Sequence, residues 1–368
     1  PQPEDRVLNF SFYNTECKVR FPDKVAFSLG KCDKNALADA WEKLSESDYN
    51  NTIRDCLELR DKLQLCDWAY INMLKTMSET CLGKTNEAAL LAAYVYCQSG
   101  YDMRLGVTGG NVCLLYASRH VIYDIEYYSV DGKQYYPFGK SDGAMYICDA
   151  SFPDEKPLDL SIPRAMSLTY ATTTERTIQS KRYPDMRATV STNRNLIDFY
   201  NTYPSSMTDN DFMTRWAFYA NTPMEVNTKE KLYGDIKPKL EGLGTKEAVE
   251  KLLNFVQTGF VYEFDDKVWG CDRAFFAEET LFYPYCDCED RSILFSRLVR
   301  DLLGLKVVLV YYPGHLATAV RFDEDVNGDY LTVGGYKYVV CDPTYIGAPV
   351  GRTMPDMDNK SAKVILLN

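Results

Sequence analysis

The chain has 368 residues, too many for one ordinary hydrophobic core, so its length predicts two or three domains. A hydrophobic content of 46% with 13% aromatic residues is typical of globular proteins and excludes widespread disorder. The net charge of −11 argues against nucleic acid or an anionic membrane as the main partner, and no apolar run is long enough to predict a membrane span.

The first part of the chain predicts two strands followed by helices. Residues 6–13 alternate between apolar and polar side chains, and residues 18–27 predict a second strand that is broken by a Pro-Asp pair. Apolar residues then recur at helical steps over residues 35–80, and residues 86–97 are strong helix formers. With short strands following, we predict a domain over residues 1–150.

The middle of the chain, residues 151–230, is rich in proline, threonine and serine and predicts a β-rich connecting module. Within it, residues 158–162 and 187–191 have the alternation of strands, and residues 213–220 predict a short helix.

Residues 231–368 give the clearest pattern and predict the catalytic domain. A helix is expected from residue 246 to about 259, followed by a long aromatic and acidic loop over 262–285. Residues 289–303 place a wide apolar face on a second helix, which ends at a glycine. Three strands follow, at residues 306–312, 316–322 and 336–341. A helix followed by antiparallel strands predicts the α+β class.

Three residues at the ends of these elements combine into a thiol triad. Cys288 directly precedes the helix, His315 opens the second of the three strands, and Asp342 follows the third; each is 27 residues from the next. A helix N-terminus and a nearby imidazolium both stabilise a thiolate, and a carboxylate orients the imidazole. Glu289 and Asp290, next to the cysteine, oppose thiolate formation, so the imidazole must do much of the activation.

Each triad residue has an ordinary structural alternative. A cysteine before a helix is commonly a buried structural thiol, and a histidine at a strand edge is commonly only hydrogen-bonded or solvated. Cys286, two residues before Cys288, is a competing nucleophile or a partner in a regulatory disulfide. Cys-x-x-Cys pairs are absent, so no metal site and no cofactor are predicted.

Three motifs together resemble the core of the transglutaminase-like family, of bacterial type. They are Asp-Cys-Glu-Asp-Arg-Ser-Ile-Leu from residue 287, Tyr-Pro-Gly-His from residue 312 and Val-Cys-Asp-Pro-Thr from residue 340. The resemblance covers about residues 245–345. It implies a papain-like fold, in which a cysteine-bearing helix packs on a sheet that carries the histidine and the aspartate. It also implies Cys288 as nucleophile, His315 as base and acid, and Asp342 as orienting residue.

An oxyanion intermediate needs a second hydrogen-bond donor beside the Cys288 amide. Gln257, at the end of the preceding helix, is the first candidate, and Trp269 in the aromatic loop is the second. Ordinary packing is the alternative for both residues.

The region after Thr85 echoes the region after Cys288. When Gly100 is aligned with Gly304, Asn111 falls opposite His315 and Phe138 opposite Asp342. A repeat would make the N-terminal domain a degenerate transglutaminase-like copy, with Thr85, Asn111 and Phe138 in place of the triad.

The sequence therefore predicts a cysteine peptidase or amidase that acts on protein or peptide amides. A protein-glutamine amine transferase and a non-catalytic protein- or peptide-binding protein are the alternatives. The chain begins Pro-Gln-Pro-Glu without an initiator methionine, and a removed signal peptide would explain this beginning. Together with the predicted hydrolase activity, this beginning favours a periplasmic or secreted location.

Overall fold

The computed structural model describes residues 5–25, 27–150, 152 and 155–368. The chain divides into two compact units, one running to residue 161 and including 166–169, the other comprising 162–165 and 170–368. Both units combine helices with antiparallel sheets, so the predicted α+β class is confirmed. None of the helices in the described part of the chain combines the length and the apolar character needed to cross a membrane.

The first unit consists of a strand pair, four helices and a second group of strands. Its elements are β1 (Arg6–Phe12), β2 (Thr15–Phe21), α1 (Lys34–Glu46), α2 (Asn50–Lys62), α3 (Asp67–Leu82), α4 (Asn86–Gln98), β3 (Met103–Thr108), β4 (Asn111–Ala117), β5 (Val121–Ile122), β6 (Tyr128–Val130), β7 (Lys133–Pro137) and β8 (Met145–Ile147).

The second unit follows the same plan with additional short elements. They are β9 (Arg176–Gln179), β10 (Arg187–Val190), α5 (Arg194–Tyr200), β11 (Ser206–Met207), α6 (Arg215–Asn221), α7 (Val226–Ile236), α8 (Thr245–Gly259), β12 (Val261–Tyr262), α9 (Asp265–Val268), α10 (Ala277–Phe282), β13 (Tyr285–Cys286), α11 (Cys288–Leu303), β14 (Lys306–Tyr312), β15 (His315–Arg321), β16 (Tyr330–Val333), β17 (Tyr336–Cys341) and β18 (Lys363–Ile365).

The two units repeat one arrangement. Each contains a five-stranded antiparallel sheet, with strand order β6-β7-β4-β3-β8 in the first and β16-β17-β15-β14-β18 in the second. The central hairpins share their register, since Thr108 faces Asn111 in one and Tyr312 faces His315 in the other. A helix, α4 or α11, precedes each sheet, and each unit has an antiparallel pair before its helices. The repeat that the sequence echo predicts is present.

The core of the second unit shows why residues 151–230 do not form a module of their own. Ile178 and Ala188, from the strand pair β9–β10, are completely buried in the same core cluster as Leu252 of α8 and Leu298 of α11. The strands of the predicted middle module thus bury their apolar faces against the helices of the predicted catalytic domain. The division of the chain at residues 150 and 230 is corrected accordingly.

Several predicted elements differ from the observed ones. The predicted strand over residues 158–162 forms only a single bridge, between Ser118 and Leu158, although its apolar residues are buried. The helical region 35–80 is divided into three helices, because the chain turns between them at residues 47–49 and 63–66. The predicted loop 262–285 contains the short helices α9 and α10.

Two helical glycines make the packing of the second unit testable. A Cβ atom on Gly259, the last residue of α8, would lie 2.5 Å from the γ-methyl group of Ile178, whereas a Cβ on Gly234 of α7 would meet no atom within 4 Å. We expect Gly259→Ala to lower the free energy of unfolding by about 1–3 kcal/mol through overpacking. Gly234→Ala should raise it by about 0.5–1 kcal/mol, because alanine loses less backbone entropy.

Urea unfolding of both variants measures these changes. A stabilised Gly259→Ala protein would show that α8 and β9 are not in the described contact.

Candidate active site

Cys288 is the first residue of helix α11, whose start is fixed by a capping box. Asp287 has extended backbone, and its Oδ1 accepts hydrogen bonds from the amides of Glu289 (3.1 Å) and Asp290 (3.4 Å). Asp290 Oδ2 accepts in return from the amide of Asp287 at 3.0 Å. These bonds use the neighbouring amides and leave the Cys288 N–H without a partner among the described residues. This N–H is thus available to an oxyanion.

Two side chains hold the first turn of α11 in place. Arg291 is completely buried and donates from Nη1 to the carbonyl of Gln257 and from Nη2 to that of Phe260, both at 3.1 Å. Ser292 Oγ donates to the carbonyl of Leu316 at 3.0 Å. The helix start is therefore tied both to the end of α8 and to the beginning of β15.

His315 and Asp342 meet because the strands that carry them are neighbours. His315 opens β15 after a turn in which Gly314 has a φ of 74°, a conformation that favours glycine, and Asp342 directly follows β17. Their side chains form a hydrogen bond of 2.7 Å between Nε2 and Oδ2. Since a carboxylate accepts this bond, we assign the imidazole proton to Nε2, which leaves Nδ1 as the basic nitrogen.

Backbone amides hold the other oxygen of Asp342. Oδ1 accepts from the amides of Thr344 (2.9 Å) and Tyr345 (3.1 Å). On the other side of the imidazole, the ring of Tyr312 lies nearly parallel to it, with centroids 6.2 Å apart. The orientation of the imidazole is therefore restricted by a carboxylate at its edge and an aromatic ring at its face.

The thiol of Cys288 lies against the start of the histidine-bearing strand. The backbone N–H of Leu316, the residue after His315, faces this sulfur and lowers the pKa of the thiol. The structure thus brings Cys288 to the strand end where His315 and Asp342 are paired.

The surroundings of Cys288 favour the neutral thiol. Burial raises its pKa above the ordinary value, and the carboxylates of Asp287, Glu289 and Asp290 raise it further, while the Leu316 N–H lowers it. The sequence predicts that Glu289 and Asp290 oppose thiolate formation, and the direction of this pKa shift agrees with that prediction. The resting sulfur is a thiol that needs a base to remove its proton.

Cys286 has a different environment and does not fit its alternative roles. It lies on β13, pairs with Tyr262 of β12, and is 97% buried in the core cluster of the second unit. Burial raises its pKa to about 12, so its sulfur is a poor nucleophile. It is also a free thiol, as are the other cysteines in the described part of the chain.

Gln257 does not serve as the predicted oxyanion donor. Its Nε2 donates to the carbonyls of Asp342 and Tyr345 (both 3.0 Å) and of Ala348 (3.1 Å), and its Oε1 accepts from the Gly347 amide at 3.2 Å. The amide hydrogens are therefore used within the protein. We reassign Gln257 as the residue that anchors the loop after Asp342 to helix α8.

Trp269 follows the short helix α9 and packs in an aromatic cluster. Its ring contacts Tyr283 (centroids 4.9 Å apart) and Phe275 (5.7 Å), and the guanidinium of Arg273 lies 4.4 Å from its centroid. These contacts account for its position by packing, and its role as an oxyanion donor stays a prediction.

The first unit repeats the helix start and strand ends that position these three residues, which we call the frame, but it carries other side chains there. Asn86 is the first residue of α4, and its Oδ1 accepts from the Val112 amide at 2.9 Å, while in the second unit the Leu316 amide faces the Cys288 sulfur. Asn86, rather than the predicted Thr85, thus corresponds to Cys288, while Thr85 is the N-cap residue.

The counterpart of Asp342 in the first unit is also one residue away from the predicted position. Leu115 faces Pro137 in the first sheet, whereas Ala319, the counterpart of Leu115, faces Val340 in the second. This register sets Gly139, not the predicted Phe138, opposite Asp342. The first unit therefore has asparagine, asparagine and glycine where the second has Cys288, His315 and Asp342.

Sequence reasoning missed three contributors to the site. Leu316 acts through its backbone and Ser292 through a hydroxyl on a mostly apolar helix, and neither has a residue-type signal for these roles. Asp265 lies 22 residues before Asp287 in a region predicted as loop, yet its carboxylate approaches those of Asp287 and Glu289. The acidic character of that loop was the only available sign.

Comparisons of this chain with protein-family models, with characterised proteins and with solved structures found no match.

The anchoring role of Gln257 leads to a prediction about stability. Gln257→Met keeps the volume but leaves three carbonyl acceptors of the anchored loop without their donor. We expect it to lower the free energy of unfolding by about 2–4 kcal/mol, from the cost of unsatisfied buried polar groups. Gln179→Met, which removes one exposed bond to the Pro184 carbonyl, should cost less than about 0.5 kcal/mol.

Chemical denaturation distinguishes the two roles of Gln257. An oxyanion donor could be removed with little change in stability, so an unchanged unfolding midpoint for Gln257→Met would contradict the anchoring role.

Proposed function

We propose that this protein is a thiol-dependent acyl-transfer enzyme that hydrolyses protein or peptide amides. Cys288 is the nucleophile, His315 the base and acid, and Asp342 the residue that orients the imidazole. The observation that supports this proposal most strongly is the 2.7 Å bond between His315 and Asp342, at the strand end where the Leu316 N–H faces the Cys288 sulfur. These are the groups that amide cleavage by a thiol requires.

The residues suggest the following sequence of steps. Nδ1 of His315 takes the thiol proton as the sulfur of Cys288 attacks the amide carbon, and the carbonyl oxygen becomes an oxyanion that the Cys288 N–H binds. The C–N bond then breaks, and the imidazolium gives its proton to the departing amine. Water attacks the resulting thioester with His315 again as base, which releases the carboxylic acid and restores the thiol.

Attack by the neutral thiol with simultaneous proton transfer fits the electrostatics of the site better than a preformed thiolate. Burial and three carboxylates raise the Cys288 pKa, so an ion pair with imidazolium would have to overcome both effects. The 2.7 Å contact with Asp342 compensates at the imidazole, because it stabilises the positive charge that forms during the reaction.

A non-catalytic binding protein is the second candidate, and the same raised pKa favours it. A thiol that does not ionise is a weak nucleophile, and the first unit shows that the frame exists without the three chemical groups. A buried histidine is also bonded to an aspartate in the first unit, in the pair His120–Asp159, so it is the position of His315–Asp342 at the strand end next to Cys288 that favours the enzyme.

Alkylation of Cys288 tests the activation of the thiol. We expect iodoacetamide to modify Cys288 much faster than the buried Cys97, and the rate to fall at least about tenfold in His315→Ala, since no base then assists. The rate should also rise with pH and continue to rise above pH 9, because the pKa of the Cys288 thiol lies above that value. Mass spectrometry of tryptic peptides measures each cysteine separately.

A Cys288 that reacts no faster than Cys97 would remove the enzyme proposal. A rate that is constant between pH 5 and pH 8 would instead indicate a preformed thiolate.

The type of acyl transfer is tested with a labelled primary amine and a glutamine-containing protein. For a hydrolase, we expect Cys288-dependent cleavage or deamidation and little incorporation of the amine. Incorporation that exceeds hydrolysis would identify an amine transferase. In both assays Cys288→Ala should lose at least about 10³-fold in rate, whereas Cys286→Ala should keep its rate.

A further inference from the structure

Two carboxylates at the start of α11 converge with a third from α9. Asp265 is the first residue of α9, Asp287 is the N-cap of α11, and Glu289 is the second residue of that helix. An oxygen from each of them lies within 4.8 Å of the other two. Asp265 and Glu289 are buried, while Asp287 is half-buried and gives the group a side open to solvent.

One carboxylate oxygen of Glu289 has no hydrogen-bond partner among the described residues. Glu289 is 94% buried; its Oε2 accepts from the indole N–H of Trp216 at 2.6 Å, whereas its Oε1 is buried without a hydrogen bond in the described part of the chain. A buried charged oxygen without a partner is strongly unfavourable. Either a proton or a cation must satisfy it.

The charges around the group leave a negative surplus. Besides the three carboxylates, Asp272 lies close by and Asp290 is fully buried next to Glu289. On the positive side, Arg215 lies 3.6 Å from Glu289 Oε2, but it also pairs with Asp272.

Arg273 also lies near the group, but it does not offset this negative charge. Arg273 gives its backbone amide to Asp265 Oδ2 at 2.6 Å, while its guanidinium is engaged by Glu279.

We propose that Asp265, Asp287 and Glu289 bind a hard divalent cation of the size of Ca²⁺. Oxygen is their only ligand atom, which selects Ca²⁺, Mg²⁺ or Mn²⁺ over the softer metals. Two ligands of one ion can be no farther apart than twice the metal–oxygen distance, about 4.6–5.2 Å for Ca²⁺ and about 4.2 Å for Mg²⁺. Oxygens that lie within 4.8 Å of one another come within the limit for Ca²⁺, the ion that accepts the wider range of separations.

The carboxylates flank Cys288, but cation binding can be tested without the thiol chemistry. The proposal needs neither a reactive Cys288 nor a substrate, so its failure and the failure of acyl transfer are distinguishable. Trp216 offers a direct signal, because its indole nitrogen lies 2.6 Å from Glu289 and can sensitise the luminescence of a bound Tb³⁺ ion.

The experiment is a titration of the full chain with Tb³⁺, excited through tryptophan, followed by displacement with Ca²⁺ and Mg²⁺. We expect saturable luminescence that Ca²⁺ displaces at lower concentration than Mg²⁺. Asp265→Asn and Glu289→Gln should each weaken binding at least about tenfold, whereas Asp266→Asn, which changes an exposed neighbour, should bind as the wild type does. Cys288→Ala should also bind normally.

Thermal unfolding of the wild-type protein gives a second measurement that needs no variant. Ca²⁺ should raise its melting temperature, because a ligand that binds only the folded state stabilises that state. The proposal is overturned if Tb³⁺ luminescence does not saturate, if all variants bind equally, or if millimolar Ca²⁺ leaves the melting temperature unchanged. Loss of binding in Asp266→Asn equal to that in Asp265→Asn would also overturn it.

Discussion

The candidate site depends on where the ladder between strands β15 and β17 ends. The last pair joins Thr318 with Cys341, and the Thr318 hydroxyl also donates to the Cys341 carbonyl at 2.5 Å. Beyond this pair, the peptide groups of Leu316 face the first turn of α11 instead of a strand, since the amide is directed toward the Cys288 sulfur and the carbonyl accepts from Ser292. Asp342 directly follows Cys341, the last residue of β17 in this ladder, and its side chain bonds to His315. One interruption in backbone pairing therefore lets His315 bond to Asp342 at the strand end that adjoins the start of α11.

Opposing electrostatic effects meet at the start of α11. The helix dipole and the unpaired Cys288 amide favour negative charge on the sulfur or on an oxyanion. The carboxylates that cap the helix stabilise its first turn through hydrogen bonds, but they raise the thiol pKa by repulsion. The residues that position Cys288 thus also limit its ionisation. In the proposed mechanism His315 supplies the compensation when it accepts the proton, and a cation at the neighbouring carboxylates would reduce the repulsion.

The sequence could predict the elements and the order of the site residues, because these depend on local patterns. The apolar rows of 289–303 identify α11, and continuous apolar runs identify β14 and β15. Contacts that depend on the direction of one side chain were beyond the sequence. Gln257 is at the right helix end for an oxyanion donor, but its amide turns toward the loop after Asp342, a choice set by three distant carbonyls.

Strand register gives a second limit, because a shift of one residue leaves the hydrophobic pattern of a short strand nearly intact. Phe138 and Gly139 are therefore hard to distinguish as counterparts of Asp342 from the sequence. The register became clear only from observed pairs, of Leu115 with Pro137 and of Ala319 with Val340.

The first unit separates what the frame needs from what the chemistry needs. Its helix start must present an acceptor to the amide that opens the central strand, and the Asn86 side chain does this as well as a thiol. Its strand starts with an exposed Asn111, and Gly139 has no side chain with which to pair, so the frame forms without an imidazole or a carboxylate. Folding alone therefore does not require Cys288, His315 and Asp342. Their combination in the second unit, with the last two buried and bonded to each other, is the arrangement on which the proposed reaction depends.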